Sequence, residues 1–148
     1  MLRLNSSQIG LPNGYILERD KPPTPAALNR LLARCKQATY SQKKLALALE
    51  RSVFLLSIFE KDNGLLAGFV RATTDNGLNA NLWNLSATPG TNQPKLLNVL
   101  VNRALLILRR EFPGCSISVS APLITLNALE DQGFLIDPGG IRAMGLRL

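Results

Sequence analysis

Histidine is absent from this chain of 148 residues. That absence removes Ser-His and Cys-His nucleophilic sites and the ordinary zinc sites, all of which need an imidazole. Cysteine is scarce: Cys35 and Cys115 lie far apart, each among apolar neighbours, the setting of core thiols rather than of a disulfide or a metal pair. Long hydrophobic runs are missing: the apolar runs are short, as in Val53-Phe54-Leu55-Leu56, and none approaches a membrane span. Residues 1–14 are polar and carry no apolar signal-peptide core, which leads to the expectation of a cytoplasmic protein. No G-x-G-x-x-G, Walker A or G-x-S-x-G motif occurs, so those chemistries are not signalled.

What is present is the composition of a globular protein, 46% hydrophobic and 18% charged, long enough for one domain with a real core. The formal net charge is +7, which points to an anionic partner: nucleic acid, an acidic protein surface or a phosphate-rich cofactor. The basic residues are spread along the chain, as they also are on a solvated basic surface.

The stretch 78–110 organises the rest. A strand over 79–87 is followed by the turn Thr88-Pro89-Gly90-Thr91-Asn92-Gln93. Beyond the turn, Leu97, Leu100, Val101, Ala104, Leu105 and Leu108 repeat at helical spacing. Within the strand, apolar residues fall at 80 and 82, then at 83, 85 and 87. One extra residue in the ladder, a β-bulge near Trp83, would produce that change of parity; a strand covered on both faces would also produce it. A helix that starts where a strand ends can hold a phosphate on its free amides.

Ahead of this stretch, 1–13 reads as a flexible lead-in and 14–18 as a short strand. Thr24 with Pro25 opens a helix carrying Leu28, Leu31, Leu32 and Cys35 on one face, and Ser41 caps a second with Leu45, Ala48 and Leu49 inward. Strands over 53–59 and 65–74 are joined by Lys61-Asp62-Asn63-Gly64, and Asp75-Asn76-Gly77 turns into the central strand. After the long helix, which Pro113-Gly114 stops, Cys115, Ile117, Val119 and Ala121 alternate with serines. A short helix over 123–132 closes at Gly133, and 134–136 with 141–148 read as a closing hairpin around Pro138-Gly139-Gly140. This order is an α/β arrangement with a mixed sheet, residues 14–148 forming a single domain.

The residues Gly68-Phe69-Val70-Arg71-Ala72-Thr73-Thr74-Asp75, then Asn79-Ala80 with Leu82-Trp83, Gly133-Phe134 and Asp137-Pro138-Gly139-Gly140-Ile141-Arg142-Ala143-Met144 stand in the order of the GNAT superfamily of N-acetyltransferases. The chain resembles most its cyanobacterial and plastid branch. The resemblance implies a GNAT-like fold: a mixed, mostly antiparallel, twisted sheet of about seven strands, with about four helices, splayed at strands four and five.

It also implies acetyl-CoA as co-substrate and an amine acceptor (a lysine, a protein N-terminus or a small amine), with no metal and no membrane. In that family the bulged strand offers backbone groups to the pantetheine arm, here Leu85, Ser86 and Ala87. A loop of the form Arg/Gln-x-x-Gly-x-Gly/Ala then holds the pyrophosphate, here the stretch with Asn92, Gln93, Lys95, Leu96 and Leu97. Asn92, Lys95 and Leu97 depart from the pattern, and Pro94 removes an amide; Lys95 offers a side-chain cation in their place. Leu129 stands where many members have a Tyr, and Asn84 where the plastid branch commonly has Asp. Asn84 and Glu130 are the residues to examine for the chemistry, although a carboxamide is no base and Glu130 also suits a solvated helix end.

Trp83 and Arg71 are the candidates for the acceptor pocket; a lone Trp more often fills the core, and Arg71 shares its strand parity with Asp75 and has a structural ion pair with it as the alternative role. Tyr15 and Tyr40 are further donors without a placement. Three functional expectations follow: an N-acetyltransferase; a GNAT-fold binding or regulatory module that has lost efficient catalysis; and, last, a nucleic-acid binder using Lys95, Arg103, Arg109 and Arg110. The family resemblance also admits a homodimer.

Overall fold

The computed structural model describes residues 7–148. Of the expected lead-in, residues 1–6 lie outside the described residues. The part that follows is tied down: the Ile9 N–H donates to Asn102 Oδ1 at 3.0 Å, Asn102 Nδ2 donates to the Ser7 carbonyl at 3.1 Å, and Arg103 Nη2 donates to the Ile9 carbonyl at 2.8 Å.

Five strands form one sheet in sequence order, β1 (Tyr15–Arg19), β2 (Phe54–Glu60), β3 (Leu66–Thr74), β4 (Asn79–Ala87) and β5 (Ser116–Val119). The first four pair antiparallel, and β5 lies parallel to β4. Helices α1 (Pro25–Arg34) and α2 (Gln42–Glu50) bury Leu28, Leu31, Leu32, Leu45 and Leu49 with Leu55, Leu66 and Phe69. The opposite layer is α3 (Gln93–Glu111) with α4 (Leu126–Glu130), packed on Phe54, Leu56, Ile58, Val70 and Leu82.

Local chemistry sets these elements as the residues imply. Thr24 and Ser41 accept from the amides of Ala27 and Lys44, each cap contributing about 1 kcal/mol. Leu97, Leu100, Val101, Ala104, Leu105 and Leu108 of α3 are all 3% exposed or less. The helix is drawn tightly onto β3 at Gly68, where an added Cβ would lie 3.2 Å from methyl carbons of both Ile58 and Leu100.

Three sequence expectations are corrected. The sheet has five strands rather than about seven, because 134–136 and 141–148 form no hairpin. Leu135, Ile136, Ile141, Met144, Leu146 and Leu148 are exposed, and a two-stranded ribbon with no buried face has little to stabilise it. Asp137, Gly139 and Gly140 also take left-handed φ angles of 46°, 66° and 75°, which breaks an extended run. The Arg71–Asp75 pair does not form: Asp75 Oδ1 accepts the amides of Gly77, Leu78 and Asn79 at 2.9, 2.8 and 3.1 Å, while Arg71 turns to Asn84. Trp83 is not a core residue, being 36% exposed.

Candidate functional site

The bulge is real, and it decides between the two readings of β4. Phe69 pairs with Ser86 and Arg71 with Trp83, so two steps along β3 face three along β4. The additional residue is Asn84, at φ 57°, a left-handed angle that Asn adopts more readily than most residues. The buried phase accordingly moves from Ala80 and Leu82 to Leu85 and Ala87. The ladder to β5 runs only from Asn79↔Ser116 to Leu82↔Val119, so the two strands part at the bulge, as the splay at strands four and five requires.

Beyond the bulge, Ser86 pairs with Phe69 and the Thr88 amide donates to the Ala67 carbonyl at 2.7 Å. By alternation, Leu85 and Ala87 direct their backbone groups away from β3, into the gap that β5 leaves. Gln37 Nε2 reaches the Leu85 carbonyl at 3.2 Å. Gln93 Nε2 and Cys35 Sγ reach the Ala87 carbonyl at 2.9 and 3.1 Å. Cys35 and Gln37 arrive through the left-handed turn at Lys36, φ 56°, that ends α1. Burial pushes the Cys35 thiol pKa up, which keeps it a protonated donor. Sequence reading placed neither Cys35 nor Gln37 here, because no local pattern links them to a strand some fifty residues on.

At the far end of the gap is the start of α3. Gln93 donates its amide to the Gly90 carbonyl at 3.2 Å and Leu96 to that of Asn92 at 2.9 Å. Asn92 stands at the N-cap without a side-chain cap bond, and its Nδ2 donates to the Tyr15 hydroxyl at 3.2 Å. Pro94 lies in the first turn, which holds no acidic residue, and Lys95 is exposed there. Leu96 and Leu97 are 0% and 1% exposed with side chains in the core, so only their backbone can face a ligand. A lysine at the positive end of a helix dipole is unfavourable by itself and favourable once an anion lies between.

At the near end, the bulge meets Arg71. Its Nε donates to Asn84 Oδ1 at 2.7 Å and its Nη1 lies 3.5 Å from Ser52 Oγ. The guanidinium carbon lies 5.9 Å from the centre of the Trp83 ring, and Trp83 Nε1 donates to Thr73 Oγ1 at 2.8 Å. Burial lowers the Arg71 pKa, and the Tyr40 phenol opposes that shift. Asn84, Trp83 and Arg71 are thus brought together.

Glu130 is not among them. It is exposed at the end of α4, on the wall of a cavity of about 810 Å³ that Trp83, Ser118, Phe134 and Ile141 also line. Leu85, Ser86 and Ala87 do not border that cavity, and Leu129 is buried in the core. Among the described residues no group of three or more His, Cys, Asp or Glu side chains could hold a metal, and no helix is long and apolar enough to cross a membrane.

A mixed sheet that parts at a bulged fourth strand, with a long helix starting where that strand ends, defines the GNAT fold. Solved structures agree. One is a probable acetyltransferase of unknown function from meticillin-resistant Staphylococcus aureus, matched at a TM-score of 0.76 and 14% identity over 90% of this chain and 100% of that one. Another is a GNAT-family acetyltransferase from Streptococcus pneumoniae, at a TM-score of 0.68 and 13% identity over 90% of this chain and 97% of that one. In sequence the chain is similar to the plastid branch: it is 32% identical over 104 residues to the uncharacterized N-acetyltransferase ycf52 of Pyropia yezoensis, covering 69% of this chain and 59% of that protein. It is also 29% identical over 126 residues to a Glycine max protein named a histone acetyltransferase, covering 77% of this chain and 54% of that one. The chain thus spans little more than half the length of these relatives. No family model matches it.

Proposed function

We propose that this chain is an acyl-CoA-dependent N-acetyltransferase. The observation that carries the reading is the bulge at Asn84, which turns the backbone of Leu85 and Ala87 into a gap running from Arg71 to the start of α3. The names of this chain's relatives support it. A pantetheine arm laid along that gap takes the place of the missing stretch of β5, with Leu85 and Ala87 as its backbone partners and Ser86, whose own backbone groups face β3, between them. To do so it displaces Gln37 and Gln93 from the two carbonyls they hold. Asn92, Gln93, Lys95 and the backbone of Leu96 and Leu97 then lie at the pyrophosphate end, where Lys95 compensates for the amide lost at Pro94.

The arm's other end reaches Asn84. There the acceptor nitrogen bonds to the acetyl carbon as the carbon–sulfur bond breaks, and one proton passes from the amine, through water, to the leaving thiolate. The chain contributes chiefly orientation and backbone dipoles. The expected homodimer stands as part of the proposal, supported by the exposed apolar side chains of 135–148; sedimentation reads it directly.

One observation favours a second reading, a binding or regulatory module. Position 84 carries a carboxamide, engaged by Arg71, and position 129 a hydrocarbon side chain, so neither position supplies a base. Titration calorimetry with acetyl-CoA, beside an assay of thiol release, separates the two. Binding near micromolar strength, about −8 kcal/mol, together with amine-dependent thiol release supports the transferase, and Lys95→Ala should weaken binding by about tenfold. Binding without turnover favours the module. No heat at millimolar ligand sinks both forms of the acetyl-CoA reading.

A further inference from the structure

The transferase reading leaves one group at the acceptor end unexplained, the Arg71 cation. It is half-buried in the sheet, and among the described residues the ion pairs join Arg19 to Asp20 and Glu111, Arg110 to Glu111, and Arg142 to Asp137. Arg71 takes part in none of them. A partly desolvated guanidinium with no carboxylate partner is unusual, since buried charges are ordinarily paired. Its protein bonds go to neutral acceptors, Asn84 Oδ1 and Ser52 Oγ. A guanidinium has five N–H donors, so the face carrying Nη2 keeps donors for something else.

The surroundings are arranged as a binding site. The Trp83 ring lies against the guanidinium, 5.9 Å from centroid to the guanidinium carbon, and is 36% exposed, so one aromatic wall of the site opens to solvent. The bulge residue Asn84 joins this pocket to the gap in which the acetyl group would arrive. A planar guanidinium against an aromatic ring suits a carboxylate, which it can hold through two parallel bonds. It repels a lysine-rich segment.

Resting on the transferase reading, we propose that Arg71, with Trp83 against its guanidinium and Asn84 at its Nε, binds a carboxylate on the acceptor. The amine that is acetylated then belongs to an amino acid or another amino-carboxylate, not to a basic peptide.

Trp83 is the single tryptophan of the chain, so its fluorescence reports on this pocket alone. Titration with N-acetylphenylalanine should give a saturable change. N-acetylphenethylamine, which lacks only the carboxylate, should bind at least about tenfold more weakly, the worth of one charge-assisted hydrogen bond. Arg71→Met should erase the difference and Arg71→Lys should keep part of it, with melting curves to confirm that each variant folds. In turnover, kcat/KM for phenylalanine should exceed that for phenethylamine by a similar factor. An Asp-Ala dipeptide amide compared with Ala-Ala amide tells whether an acidic peptide N-terminus supplies the same carboxylate. Equal binding of acid and amine analogues, or no binding of either, overturns the assignment, as does a preference that survives in Arg71→Met. Calorimetry with acetyl-CoA keeps the two readings apart. Carboxylate binding without acetyl-CoA binding overturns the acceptor role and the transferase together, whereas acetyl-CoA binding without carboxylate discrimination overturns the Arg71 assignment alone.

Discussion

Asn84 has two jobs that different substitutions separate. Its backbone sits at φ 57° and its side chain accepts from Arg71 Nε at 2.7 Å. Asn84→Gly keeps the left-handed angle and loses only the bond to Arg71, whereas Asn84→Val also forces a β-branched residue into that region. The valine variant should therefore be less stable than the glycine variant by about 1–2 kcal/mol, read from urea unfolding midpoints at equal slope. Equal stabilities would mean that the bulge relaxes, and with it the direction of the Leu85 and Ala87 backbone. Arg71 itself was legible as a candidate in the sequence. Its partner was not, because Asp75 shares its strand parity while Asn84 meets it only through the β3–β4 pairing.

Between elements, the tie most open to test joins β1 to the end of α3. Arg19 Nη1 and Nη2 donate to the two Glu111 carboxylate oxygens at 2.7 and 2.8 Å. The Arg19 bond, with help from Arg110, lowers the Glu111 pKa from 4.5 to about 2. A carboxylate whose folded pKa is depressed stabilises fully above its unfolded pKa and loses that contribution as pH falls through the folded one. Unfolding free energy should therefore drop as pH falls from 4.5 toward 2, the span of the Glu111 shift. Glu111→Gln should flatten that drop, measured by denaturant titration at a series of pH values. Asp75, lowered by its backbone donors Asn79, Gly77 and Leu78, keeps part of the slope in the variant. Both partners of the tie are about a third exposed, so added salt should weaken it. The helices themselves were legible from caps and periodicity. The short reach of β5 was not, since its alternation continues to Ala121 while its pairing stops at Val119.

Over the whole molecule, a net charge of +7 attracts a polyanion from a distance and repels a cationic acceptor. If acetyl-CoA binds as proposed, its association rate should fall several-fold as ionic strength rises from ~0.01 M to ~0.15 M, over which the Debye length shrinks from about 30 to about 8 Å. Stopped-flow mixing measures this, and a salt-independent rate would confine the attraction to short-range contacts such as Lys95.

The sequence by itself determined what depends on near neighbours: the caps at Thr24 and Ser41, the apolar stripe of α3, the turn at Asp75-Asn76-Gly77, and a parity change in β4 that either a bulge or two covered faces would give. These follow from backbone geometry and side-chain spacing within a few residues. Only the tertiary structure decided that the change is a bulge with Asn84 as the extra residue, that the sheet has five strands among the described residues, and that Gln37 and Cys35 lie across the β4 carbonyls. The same holds for Arg71, which faces Asn84 and Trp83 rather than Asp75. Each of those outcomes turns on strand register or on which surfaces meet, and these are set by packing between distant segments, which no local run of residues encodes.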